Sequence, residues 1–68
     1  MKIKRGDKLK LKIGIEVVAL SSVFVVSHFT QWFAVRIQLA QFELSCDVGL
    51  IESVNDQFVM FDNWEVGE

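Results

Sequence analysis

Three lysines at alternate positions, Lys8, Lys10 and Lys12, carry the clearest chemical signal in the chain. On an extended strand, alternate residues share a face at steps of roughly 6.6–6.8 Å. That spacing is comparable to the distance between successive backbone phosphates. A cationic row of this kind can track single-stranded RNA or DNA, and aromatic side chains beside it can stack on bases. Arg36 would extend the row from the polar face of another strand, with Phe29, Phe58 or Trp64 as stacking surfaces. The same pattern suits an edge strand guarded by lysines against sheet-to-sheet aggregation. That role is general, and it outranks nucleic acid as an account of the lysines alone.

Other chemistries find less support. The single histidine, His28, and the single cysteine, Cys46, cannot complete a structural zinc site within one chain. Asp47 and Glu52 could bind a hard cation, but no EF-hand spacing surrounds them, and solvated surface acids are the simpler reading. Ser27 and His28 are adjacent, and neighbours on a strand point to opposite faces. No Gly-x-Ser-x-Gly occurs, and the glycines are too isolated to form a phosphate-cradling loop. The expectation is a non-enzymatic protein with no cofactor and no metal. An enzyme built around a pore between subunits, using His28 with acids, is a third reading.

The elements that must position these residues read as strands. Phe33, Val35, Ile37 and Leu39 alternate with Ala34, Arg36, Gln38 and Ala40, the period of a strand with one buried face. After Ala40 the apolar row continues from the other parity, through Phe42 and Leu44, as a bulge at Ala40–Gln41 would produce. A helix over 30–45 is the rival, because Ala, Arg, Gln, Leu and Glu are good helix formers. Its polar residues would scatter over several faces, which favours the strand. Upstream, Leu9, Leu11, Ile13, Ile15 and Val17 form one face of a long strand, bent at Gly14. A second strand runs from about Val23 to Phe29, with Ser21–Ser22 and Thr30–Gln31 as turns. Ser45–Gly49 reads as a turn or bulge. Leu50–Val54 and Gln57–Phe61 flank Asn55–Asp56, a two-residue hairpin signal, and Asp62–Asn63 ends the last strand. Met1–Asp7 is a lead-in and Trp64–Glu68 a tail docked through Trp64. The fold class expected is all-β: one domain, a small five-stranded, strongly bent antiparallel barrel of SH3, Sm or OB type.

The run Gly49-Leu-Ile-Glu-Ser-Val-Asn-Asp-Gln-Phe-Val59 resembles the Sm-like family of the bacterial Hfq type. It matches that family's Gly-x-Ile-Glu-Ser-x-Asp-Gln-Phe-Val pattern with one extra residue, at Val54–Asn55. Val35-Arg-Ile-Gln-Leu39 is similar to the strand before that pattern, so the resemblance covers 33–63. It implies an oligomeric ring in which Gln57 and Phe58 contact RNA bases while Asp56 holds the turn.

Size sharpens the expectation of assembly. The chain has 68 residues, of which 51% are apolar, and a domain this short buries only about 60% of its unfolded surface. The surplus includes Val17, Val18, Val23, Phe24, Val25, Trp32 and Trp64, and a second subunit is expected to cover part of it. The net charge of −2 hides an asymmetry. Lys2, Lys4, Arg5, Lys8, Lys10 and Lys12 crowd the head, while 43–68 contain Glu43, Asp47, Glu52, Asp56, Asp62, Glu65 and Glu68 without a Lys or Arg. Pairing of the two ends is the simpler consequence, and a head that meets a polyanion is the other. The lysine-rich head followed by Ile13–Val26 has the outline of a signal peptide, but Glu16 interrupts it and no small-x-small cleavage site follows. Ser21, Ser22, Ser27, His28, Thr30 and Gln31 likewise break up the longest uncharged run, so no membrane span is expected. A lone cysteine fits the cytoplasm. The expected partners are further copies of the chain, with single-stranded nucleic acid or another protein beyond them.

Overall fold

The computed structural model describes residues 1–60 and 64–67. Its strands are β1 (Lys8–Leu11), β2 (Glu16–Ala19), β3 (Phe24–Ser27), β4 (Trp32–Leu39), β5 (Phe42–Asp47), β6 (Ile51–Val54) and β7 (Gln57–Phe58). They join antiparallel into a single seven-stranded sheet, with a 3-10 turn at Val48–Leu50 between β5 and β6. The all-β expectation is met, and 30–45 holds β4 and most of β5 in place of a helix. The count of five strands is too low, because two apparently continuous runs are each folded into a hairpin.

The first is 8–17. β1 and β2 pair as Lys8↔Val18, Leu9↔Val17 and Lys10↔Glu16. Between them Gly14 N–H donates to the Leu11 carbonyl at 2.8 Å, and Leu11 N–H to the Ile15 carbonyl at 2.8 Å. Gly14 has φ +94°, so it closes a tight loop and does not bend a through-running strand. The second is 33–44. Leu39 faces Phe42 across Ala40–Gln41, and Ala40 has φ +54°. The change of parity there is a two-residue turn, not a bulge.

β4 is the hub. One of its edges carries β5 in an unbroken register from Ala34↔Asp47 to Leu39↔Phe42. The other edge carries two strands end to end: β2 opposite Ile37 and Gln38, and β3 opposite Trp32–Ala34. The chain kinks between β2 and β3, and Arg36 holds the kink through its backbone. Its carbonyl accepts Leu20 N–H at 2.7 Å, and its N–H donates to Ser21 Oγ at 3.1 Å. The ladder continues from β2 through β1 and β6 to β7. Among the described residues it does not close, since β3, β5 and β7 each have one partner strand.

Leu9, Leu11, Val17, Ala19, Val35, Ile37, Cys46, Val48, Ile51 and Val54 form the core, together with Ile3 and Trp64. The lead-in and the tail are therefore parts of the core. They lie side by side, with a parallel bridge at Lys2↔Glu65, and the tail also bridges the chain just before β3 at Val23↔Val66. Glu65 N–H donates to the Met1 carbonyl at 2.8 Å, and Gly67 N–H to the Val23 carbonyl at 3.0 Å. Of the apolar surplus, Val17, Val23 and Trp64 are buried, Phe24 and Val25 are half-buried, and Val18 and Trp32 stay exposed. The expected strand end at Phe61 and the stop at Asp62–Asn63 lie outside the described residues.

Candidate interaction surfaces

β1 lies between β2 and β6, so the lysine strand is interior to the sheet and guards no edge. Lys8 and Lys10 do share the exposed face of β1. Each has an acidic partner: Lys8 Nζ sits 3.4 Å from Asp56 Oδ2, and Lys10 Nζ sits 3.6 Å from Glu52 Oε2. Pairs this exposed contribute about 0–1 kcal/mol and are screened by salt, but they place a carboxylate beside each ammonium. Lys12 has left the strand; its N–H donates to the Leu50 carbonyl at 2.8 Å. Arg36 lies two strands away from β1, which puts it roughly 12 Å from Lys8 by strand spacing and rise. Its Nη1 donates to Ser45 Oγ at 3.5 Å. The expected basic stripe is thus broken into separate parts.

What the fold does bring together is Lys12 and Phe58. Both line a cavity of about 450 Å³ with Glu52, Val59 and Met60. Phe58 is 68% exposed, and Gln57 beside it is exposed at the β6–β7 hairpin. Asn55 and Asp56 form that turn with φ of +49° and +69°, as the hairpin signal predicts. Asn55 also ties the turn to β1: its N–H donates to the Lys8 carbonyl at 2.7 Å, and its Oδ1 accepts Lys8 N–H at 2.9 Å.

No family model, curated protein or solved structure matches the chain. The surfaces must be read from their own geometry.

The surface that sequence reasoning missed is the outer edge of β5. The strand carries no Lys, no Pro and no bulge, and the charges on it are the carboxylates of Glu43 and Asp47. Phe42 and Leu44, on its core-facing side, remain 58% and 43% exposed. The Arg36 backbone bonds go to Leu20 and Ser21, so the Arg36–Ser45 pair is a non-hydrogen-bonded one. By alternation, Glu43 and Ser45 turn their N–H and C=O groups to the edge that is open among the described residues, while the Asp47 carbonyl accepts Cys46 Sγ at 3.4 Å. The signal for this was the parity change at Ala40, once it is taken as a turn.

The single histidine and the single cysteine lie apart: His28 sits exposed on the β3–β4 turn, while Cys46 is buried on β5. Burial, and then the Asp47 carboxylate next to it, push the Cys46 thiol up from its ordinary value, which disfavours the thiolate that a nucleophile needs. Among the described residues, no group of His, Cys, Asp and Glu could hold a metal ion, and no helix is long and apolar enough to cross a membrane.

Proposed function

We propose that the chain is a non-enzymatic assembly module of the small-barrel kind, which works by associating through apolar surface that its own sheet leaves uncovered. One observation carries this reading. Among the described residues, β5 presents an unpaired backbone edge without Lys, Pro or bulge, flanked by exposed Phe42 and Leu44. Open edge groups and adjacent apolar area together are what strand addition recruits. The reading is tested by light scattering across protein concentration and salt, with and without nuclease. An assembly that persists in high salt and ignores nuclease is expected. A monodisperse monomer of 7.8 kDa at high concentration would overturn it.

A second reading has its own support. Lys12 and Phe58 share a cavity, and the Asp56-Gln57-Phe58 turn lies within the part of the chain that resembles the Sm-like family. On this reading, single-stranded nucleic acid stacks on Phe58, meets Lys12 and Gln57, and draws longer-range attraction from Lys8, Lys10 and Arg36. Affinity for labelled oligo-U or oligo-A should fall steeply with salt, and Lys12→Glu and Phe58→Ala should each reduce it. No binding at high micromolar protein in low salt removes this reading and leaves the first untouched.

A further inference from the structure

We infer that the partner of β5 is the β5 strand of a second copy of this chain, paired antiparallel about a two-fold axis through Leu44. This rests on the assembly reading and specifies its geometry. A continuous antiparallel sheet requires facing residues to lie on the same side, so the residue numbers of each facing pair must add to an even sum. Three central registers meet that condition. Centring on Glu43 sets two carboxylates directly opposite each other. Centring on Ser45 sets Glu43 opposite Asp47. Facing like charges destabilise a strand pair. Centring on Leu44 avoids both: Leu44 faces its own copy, Phe42 faces Cys46, Glu43 faces Ser45 and Gln41 faces Asp47.

The same register also completes the charges. Arg36 reaches Ser45 Oγ and is in no ion pair among the described residues, and the same holds for Glu43. With Glu43 of the second copy opposite Ser45, its carboxylate comes beside the Arg36 guanidinium, twice per dimer. The apolar residues of both copies fall on one side and cover Phe42 and Leu44. The Glu43–Ser45 pairs use the edge groups left open by β4, which makes Leu44–Leu44 a non-hydrogen-bonded pair. Its Cα atoms then lie about 4.5 Å apart, within disulfide range. A two-fold contact closes on itself, so the product is a dimer and not a fibre.

The test is mild oxidation of Leu44→Cys in a Cys46→Ala background, against Leu50→Cys as a control of similar exposure. Position 44 should give a disulfide-linked dimer at least tenfold faster than position 50. A charge exchange serves as the second arm: Arg36→Glu should weaken the dimer at least tenfold, and Arg36→Glu with Glu43→Arg should restore it. Equal cross-linking at 44 and 50, or a double variant no better than the single one, overturns this geometry. If the chain still assembles in either case, the assembly reading survives without it. A monomer at every concentration overturns both.

Discussion

Asn55 and Lys8 exchange two hydrogen bonds across the sheet, one through the Asn55 backbone at 2.7 Å and one through its side chain at 2.9 Å. The lysine strand and the hairpin turn are therefore one structural unit. The type of residue 55 decides two things at once: a backbone conformation at φ +49° and an acceptor for a strand N–H.

Replacing Asn55 with Ala removes that acceptor and puts a methyl side chain at positive φ. A loss of about 1–3 kcal/mol is expected, measured by urea unfolding. Asn55→Asp keeps the oxygen and should lose less.

Ala40 sits at φ +54° in the two-residue turn between β4 and β5. An alanine there bears left-handed strain, so Ala40→Gly should stabilise the fold by about 0.5–1 kcal/mol, even after the greater freedom of glycine in the unfolded chain. The shift in the urea midpoint reports it.

Trp64 is 8% exposed, and its buried Nε1 has no hydrogen-bond partner among the described residues. Trp64→Phe forfeits no hydrogen bond and should be much milder than Trp64→Ala, for which about 3–5 kcal/mol is expected. Thermal unfolding of the two variants side by side checks the order.

The Cys46 thiol is raised in the folded chain, chiefly by burial. Its proton is held more tightly in the native state than in the unfolded one. The stability it contributes is therefore complete below the unfolded thiol value of about 8.5 and is lost as pH rises through the folded value. Relative to Cys46→Ala, the native sequence should lose stability as pH rises above the unfolded thiol value of about 8.5. Parallel pH curves for the two proteins would contradict this.

Much of the sheet was legible because period two survives in short strands. The Asn55–Asp56 hairpin, the Thr30–Gln31 turn and the strand nature of 33–39 all follow from residue type and alternation. The hairpin inside 8–17 was hidden by arithmetic. Leu11 pairs toward Ile15 about a single apex at Ile13, so facing residues keep the same parity and the alternation runs through the loop unbroken. Ile13 reads as core but is 72% exposed. At Ala40–Gln41 the parity does change, yet neither residue is a Gly, Asn or Asp, and a bulge explained the change equally well. That single misreading concealed the open edge. The charged site was legible only as a list. Which acids meet Lys8 and Lys10 depends on the β1–β6 pairing, which joins residues forty or more positions apart.

The central claim, that a second copy covers the β5 edge, is met most directly by sedimentation velocity of the native chain and Leu44→Lys, run together in high salt. Leu44 is already partly exposed, so the lysine should fold normally while its charge blocks the edge. The native chain is expected at twice its 7.8 kDa mass and the variant at the single-chain mass. Identical masses for the two proteins would contradict the account.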